Sequence, residues 1–168
     1  MNIPKKSVIA PLLVLLLLLS GFLVLGHEDV QAESQPVLSM GQTLYVPIYS
    51  HIYSGNRERP FYLAVTVSIR NTDPSHPIVI TVADYNDSNG KMINKYIERP
   101  LQLNALSSTR FVIKESDKIG GSGANFIIKW SSAQMVNPPI IESVMIGTYG
   151  QQGISFTSRG KVIKEHTE

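Results

Sequence analysis

Apolar and polar residues alternate along most of the chain with the two-residue period that is typical of β-strands. The clearest run extends from Leu63 to Arg70, where branched apolar residues alternate with small or polar ones. Turn residues separate such runs, and Asn89-Gly90 is the strongest short-range hairpin signal among them. No window beyond the N-terminal segment has the period of an amphipathic helix. The predicted strands cover residues 44–49, 63–70, 78–82, 92–96, 109–114, 125–131, 140–147 and 154–157.

About eight or nine strands at this spacing predict an all-β domain. The expected architecture is an antiparallel β-sandwich of immunoglobulin-like or related topology, with a small barrel as the alternative. The predicted domain spans residues 41–163, between a polar lead-in at 33–40 and a tail at 164–168. A domain of this size buries enough surface to form a core without covalent cross-links.

The N-terminus predicts export. Lys5 and Lys6 precede an apolar run at residues 8–25, and Val30-Gln31-Ala32 places small or short side chains where a signal peptidase reads them. We therefore expect residues 1–32 to be a signal peptide that is cleaved after Ala32. The alternative is an apolar helix at residues 8–25 that is retained as a membrane anchor. Either case places the domain in the periplasm or outside the cell.

Composition excludes several classes of function. The 168 residues contain no cysteine, which rules out disulfides, a cysteine nucleophile, a thiolate zinc site, a blue-copper centre and a lipidated N-terminal cysteine. An exported chain without cysteine fits a bacterial envelope better than a eukaryotic secretory route. The net charge of +2 is spread thinly along the chain and forms no basic patch of the kind that binds nucleic acid. We expect neither a nucleic-acid partner nor a cofactor.

Four segments together carry a family resemblance. They are Gly41–Gly55, Ser68–Asp73, Gly120–Trp130 and Ile140–Gly160. In this order they resemble a bacterial family known as domain of unknown function 3124, over Gly41 to about Ile163. The resemblance implies a small exported or lipid-anchored protein, and it supplies no activity or catalytic residues to transfer to this chain.

Glu142 is the most conspicuous charge in an apolar run. Residues 140–146 are apolar on both faces, which predicts a central strand covered on both sides. A carboxylate in that position needs a cation, and Arg70 and Arg110 are the candidate partners. A structural ion pair is the favoured interpretation, and a catalytic role for Glu142 is the alternative.

Two loops, one rich in glycine and one acidic, resemble known ligand-binding loops in composition but lack the residue spacing of those motifs. Gly120–Asn125 leads into a predicted strand rather than a helix, so it fits a tight connection with positive φ and not a phosphate loop. Asp84–Gly90 has the oxygen ligands of a calcium loop, but its glycine falls one place late and no glutamate follows at the required distance. A hairpin tip is the expected structure there.

Binding candidates are few. Arg57 and Arg59 lie in a polar stretch, where guanidinium groups could clamp an anionic group. Tyr45 and Tyr49 share one face of the predicted first strand and could stack on sugars or contact a partner protein. The sequence therefore favours a non-enzymatic binding module that uses loops or a sheet face. Its expected partner is an envelope protein or component, and it contacts the membrane only through an uncleaved N-terminal segment.

The alternative function is a hydrolase-like or metal-dependent enzyme. It would use Glu142 with His51 or His76, the two histidines within the predicted domain. These histidines are isolated in sequence, without the paired spacing of common metal sites, so no metal site is expected.

Overall fold

The computed structural model describes residues 37–149 and 151–166. These residues form twelve β-strands and one short 3-10 turn. No helix in these two ranges is long and apolar enough to cross a membrane. The predicted signal or anchor lies outside the described residues. The strands are β1 (Ser39–Pro47), β2 (His51–Ser54), β3 (Arg59–Tyr62), β4 (Ala64–Arg70), β5 (Ile78–Asn86), β6 (Met92–Lys95), β7 (Leu101–Leu103), β8 (Ser108–Ile113), β9 (Asn125–Val136), β10 (Ile140–Tyr149), β11 (Gln152–Arg159) and β12 (Lys161–Glu165).

The large sheet has six strands, in the order β12-β1-β9-β5-β6, with β7 also paired to β5. Every pairing in it is antiparallel. A register shift between Ile80 and Val82 inserts one residue into the pairing of β5 with β9. The bulge resets the alternation, so Ile80 before it and Ala83 and Tyr85 after it are all buried.

The four-stranded sheet has the order β11-β10-β4-β8, and it is antiparallel throughout. Its inner face carries alternate residues of each strand, such as Val65 and Val67 of β4 and Met145 of β10. Ser143 lies on the same inner face, and its hydroxyl donates a 2.6 Å hydrogen bond to the carbonyl of Pro47. That bond links the two sheets within the core.

The two sheets pack as sandwich-like layers around one apolar core. Its largest fully buried side chains include Trp130, Tyr85 and Phe126 of the large sheet. The rings of Tyr85 and Phe126 stack with centroids 5.5 Å apart. Each large apolar side chain contributes roughly 1.5–3 kcal/mol through removal from water. The all-β fold with antiparallel sandwich-like layers is therefore confirmed.

Four strands were not predicted, and all are short. Strands β2 and β3 form a hairpin on either side of the 3-10 turn Gly55–Arg57, within a stretch that sequence reasoning treated largely as a loop. Strand β7 has three residues, and β12 is exposed along its whole length. Strands β2, β3 and β12 lack the apolar alternation on which the predictions rest, and β7 alternates over only three residues. Strand pairing also begins before Gly41 and ends after Ile163, at Ser39 and Glu165.

Asp73 fastens two loops at one end of the sandwich. One carboxylate oxygen accepts hydrogen bonds from the backbone N–H groups of Ser75 and His76 and contacts the His76 Nδ1 atom at 3.1 Å. The other oxygen accepts the N–H of Asn137, in the connection between β9 and β10. The N–H of Ser75, followed by those of Asn137 and His76, outweighs the cost of desolvation and lowers the pKa of Asp73 from 3.8 to about 2.

This arrangement predicts a specific acid sensitivity. Because the folded-state pKa of Asp73 is depressed, its contribution to stability is present above pH 3.8 and is lost as the pH falls toward 2. We expect Asp73→Asn to lower the melting temperature at neutral pH and to flatten the decline of the melting temperature across that window. Asp84→Asn is the matched control, because Asp84 is half-buried on β5 and forms no ion pair within 4 Å among the described residues. The assignment would be contradicted if the melting temperatures of wild type and Asp73→Asn fell by the same amount between pH 3.8 and pH 2.

Candidate functional site

A groove crosses the end of the sandwich at which β3 and β10 terminate. It consists of three adjoining depressions of about 320, 590 and 310 Å³. Tyr62 and Glu115 belong to both the first and the second, and Lys114 and Lys118 belong to both the second and the third. The shared residues make the depressions one continuous surface. The groove is lined by Arg59, Pro60, Phe61, Tyr62, Tyr96, Val112, Lys114, Glu115, Ser116, Asp117, Lys118, Ile119, Thr148 and Tyr149.

The β2–β3 hairpin forms one wall of the groove. Its register sets His51 opposite Tyr62 and Ile52 opposite Phe61. The chain then passes directly over β10 at Gly147, where a Cβ atom would lie 2.5 Å from both the Tyr62 carbonyl oxygen and the Phe61 ring. Only glycine permits that approach. Gly147 therefore fixes the distance between the hairpin wall and the end of β10.

Aromatic rings form much of the wall around the first depression. Tyr149 is 79% exposed, and its ring meets the ring of Phe61 edge to face at 6.4 Å. The Nζ atom of Lys118 lies 4.2 Å from the centre of the Tyr62 ring, a cation–π contact that holds the Lys118 loop against the hairpin. The site thus offers one freely accessible ring, Tyr149, and two that are partly covered.

Both signs of charge surround the rings. Arg59 and Glu115 line the first depression, and Asp117 lies farther along, beside Tyr96. Burial, followed by the negative charge of Asp117, raises the pKa of Tyr96. Its hydroxyl therefore stays protonated and can donate a hydrogen bond. The groove can both donate to and accept from a polar ligand while apolar ring surface contacts it.

The structure places the two predicted arginines differently. Arg59 lies in β3 and lines the first depression. Arg57 lies in the 3-10 turn that precedes β3, and only its backbone position is described. The candidate anion clamp therefore contributes one described guanidinium group to the groove.

The two predicted tyrosines have different surroundings. Tyr45 pairs with Ile127 and Lys161 and faces outward from the large sheet. Tyr49 follows β1 and is partly buried, with its ring 5.7 Å from that of Phe156 in β11. Burial alternates without a break from Leu44 to Ser50, so Tyr45 and Tyr49 are in the same phase as predicted, but the ring of Tyr49 packs against β11. Neither ring lines the groove.

Glu142 faces outward from the four-stranded sheet, not into the core. It does share its face with Ile140, Val144 and Ile146, as predicted, but Ile140 and Ile146 are 39% and 52% exposed. The expectation of a strand covered on both sides is therefore wrong within the described residues. The residue directly opposite on β11 is Arg159, which sequence reasoning did not consider.

The proposed partners of Glu142 do not pair with it. Arg110 is separated from Glu142 by Ser68 on the intervening strand. Arg70 directs its Nε atom to the Ser68 hydroxyl at 3.2 Å. Within residues 37–149 and 151–166, the ion pair found within 4 Å joins His76 to Asp73, and Glu142 has none. The predicted structural salt bridge to Arg70 or Arg110 is absent from this part of the chain.

The two histidines lie at opposite ends of the sandwich. His51 begins β2, beyond the end of β1, and its ring meets those of Tyr53 and Tyr62 edge to face. His76 lies in the connection from β4 to β5 and contacts Asp73. Neither hydrogen-bonds to Glu142, and no group of three metal-ligating side chains occurs among the described residues.

The glycine-rich segment is a structural connection. Gly121 has a φ of +80°, as expected for a tight turn, whereas Gly120 and Gly123 do not have positive φ. The Ser88 hydroxyl donates to the carbonyl of Gly120 at 2.9 Å and accepts the N–H of Gly123 at 3.0 Å. The acidic loop is the expected hairpin tip, because the Asp87 carboxylate accepts backbone N–H groups within its own turn.

Sequence reasoning missed most of the groove. Phe61 and Tyr62 lie on a short hairpin whose sequence has the polar character of a loop, and Lys118 and Glu115 lie in a loop that contains no recognisable motif. A usable signal was the dense set of aromatic residues at positions 53, 61 and 62 beside charged residues. The approach of these segments to Tyr149 depends on long-range pairing that local patterns do not contain.

The fold and groove define a class: an all-β, sandwich-like domain with an aromatic and charged surface groove. The chain belongs to the family described as "Protein of unknown function (DUF3124)", whose sequence profile matches residues 41–163. No curated protein matches the chain. A solved structure described as "Crystal Structure of Thermotoga maritima 1070" aligns with 74% of this chain and 97% of its own, at 10% identity and a TM-score of 0.46.

Proposed function

We propose that the protein is a non-enzymatic binding module of the cell envelope that holds a glycan chain in the groove. The domain that carries it is a β-sandwich of immunoglobulin-like or related topology. The observation that carries the proposal is the first depression, about 320 Å³, which is lined by the aromatic residues Phe61, Tyr62 and Tyr149 and by the charged residues Arg59 and Glu115. Pockets of about this size, with aromatic walls and a few polar groups, are typical of ligand sites.

The shape of the groove favours a chain-like ligand. Three adjoining depressions extend from Tyr149 to Ile119, so successive units of a polymer could occupy successive depressions. The exposed ring of Tyr149 can stack on the apolar face of a sugar. Arg59, Glu115 and the Tyr96 hydroxyl supply the donors and acceptors that hydroxyl groups require.

The compartment follows from the N-terminal sequence. Lys5, Lys6, the apolar run at residues 8–25 and the small residues before position 33 support export to the envelope. The ligand is then a polymer of the periplasm or of the cell surface. Contact with the membrane is through residues 8–25 alone, and only where the segment is not removed.

Binding is preferred to hydrolysis because the enzyme alternative lacks its geometry. Glu142 does not line the groove, and it hydrogen-bonds neither His51 nor His76 in the described part of the chain. A general acid or base must reach the proton that it transfers, directly or through one water. The groove carboxylates, Glu115 and Asp117, have no histidine among their lining neighbours.

Calorimetric titration tests the proposal. The probes are soluble oligosaccharides of chitin, cellulose and starch, added to the purified protein. We expect at least one to bind, and Tyr149→Ala to weaken that binding by at least about tenfold, which corresponds to about 1.4 kcal/mol. Arg59→Ala should weaken it as well, because Arg59 lines the same depression.

Tyr53→Ala is the matched control. Tyr53 lies on the same hairpin and is 54% exposed, but it does not line the groove. Its removal should leave oligosaccharide affinity unchanged. Equal losses for Tyr53→Ala and Tyr149→Ala, or no binding of any probe by the wild type, would contradict a glycan site in the groove.

A further inference from the structure

The outer face of the four-stranded sheet carries a patch of arginines that is separate from the groove. The strand register places Arg159, Glu142, Ser68 and Arg110 in one row across all four strands. Arg70 lies two residues beyond Ser68 on β4 and bonds to its hydroxyl. With strands about 4.8 Å apart, the three arginine backbones lie within roughly 14 Å of one another.

None of these three guanidinium groups has a carboxylate partner among the described residues. Arg70, Arg110 and Arg159 are all exposed, and no ion pair within 4 Å includes any of them. Glu142 is the one acidic residue in their row, so the patch retains an excess of positive charge. Arginine forks match carboxylates in bidentate geometry, and arginine is enriched at protein interfaces.

Apolar side chains continue the same face. The next row contains Thr157, Val144, Thr66 and Val112, and Val112 is 51% exposed. Ile146 lies one row farther and is 52% exposed. A purely polyanionic polymer would satisfy the arginines and leave these rows uncovered. A polypeptide that presents both carboxylates and apolar side chains complements the whole face.

We propose that this outer face docks an acidic polypeptide segment of another protein, with Arg70, Arg110 and Arg159 binding its carboxylates and Val112 and Ile146 contacting its apolar side chains. Glu142 repels the same carboxylates and restricts where they can lie. The arginines lie outside the groove, and Val112 is the one residue of the patch and its apolar rows that also lines a depression there.

The test is fluorescence anisotropy of a labelled peptide composed of Glu and Val, with the purified protein. We expect binding that weakens with added salt, and a loss of at least about tenfold when Arg70, Arg110 and Arg159 are all changed to glutamine. Glu142→Gln should strengthen binding by about threefold, because it removes a repelling charge. Two variants that act in opposite directions separate docking from a general loss of folding.

The control removes three positive charges from another part of the protein surface. Lys91, Lys95 and Lys164 are exposed on the large sheet or in its turns, and their joint change to glutamine should alter peptide affinity by less than about twofold. Melting curves establish that each variant is folded. The proposal is overturned if the wild type does not bind the peptide, if the arginine variant binds it equally well, or if Glu142→Gln has no effect. Tighter binding of polyphosphate than of the peptide would replace the acidic polypeptide by a polyanion.

Discussion

Replacement of Gly147 by valine should destabilise the domain by roughly 3 kcal/mol, a fall in melting temperature on the order of 10 °C. The first added atom would lie 2.5 Å from the carbonyl oxygen of Tyr62 and from the ring of Phe61, and 2.8 Å from Leu63. A backbone oxygen cannot rotate away as a flexible side chain can. The hairpin must therefore move away from β10, and the wall of the groove moves with it.

Gly153→Val is the matched control for that result. Gly153 lies on β11, directly opposite Thr148, and an added Cβ would meet only the Thr148 methyl at 3.9 Å. Valine at an exposed strand position should be neutral or slightly stabilising, because valine favours β-structure and glycine does not. Thermal denaturation of both variants measures the difference. Equal melting temperatures for the two would show that β3 does not pass close to β10 at Gly147.

Gly120→Ala should be the second large effect, with a loss of about 2 kcal/mol. An added Cβ would overlap the hydroxyl of Tyr85 and would lie 2.8 Å from the Cβ of Ala124. Tyr85 is 1% exposed and stacks on Phe126, so its ring has no room to withdraw. The connection that leads from the groove loop into β9 would have to shift as a whole.

Gly123→Ala provides the comparison at the same loop. Its nearest neighbour would be the Ser88 hydroxyl at 3.3 Å, the end of a short side chain, and its φ is not positive. We expect a loss well below that of Gly120→Ala in chemical denaturation. If Gly123→Ala lowers stability more than Gly120→Ala does, Tyr85 does not pack over Gly120 as described. The glycines would then be candidates for ligand binding.

The fold was predictable to the extent that it depends on local alternation. In the run from Leu63 to Arg70 the apolar residues occupy alternate positions. The structure buries Val65, Val67 and Ile69 of β4, as that alternation predicts. The hairpin at Asn89-Gly90 also formed as expected, with Gly90 at a φ of +79°. Strands β3 and β12 were not predicted because their own residues carry no apolar period. Strand β12 also depends on pairing with the distant β1.

The site was harder to predict because it depends on which segments meet. Arg59 was named from its residue type alone, and it does line the groove. Glu142 shows the opposite case: its face was predicted correctly, but whether that face is covered depends on the rest of the fold. An apolar strand sequence cannot distinguish a buried face from an exposed one that contacts a partner.

Amide chemical-shift mapping tests the central claim, that the groove is the ligand site, most directly. The protein would be titrated with the oligosaccharide that binds best in calorimetry, and the shifts of backbone amides would be recorded. We expect saturable changes confined to the residues that line the groove, at 59–62, 96, 112, 114–119 and 148–149, with none at Tyr45 or Glu142. Saturable changes elsewhere in the chain, with these residues unaffected, would contradict that claim.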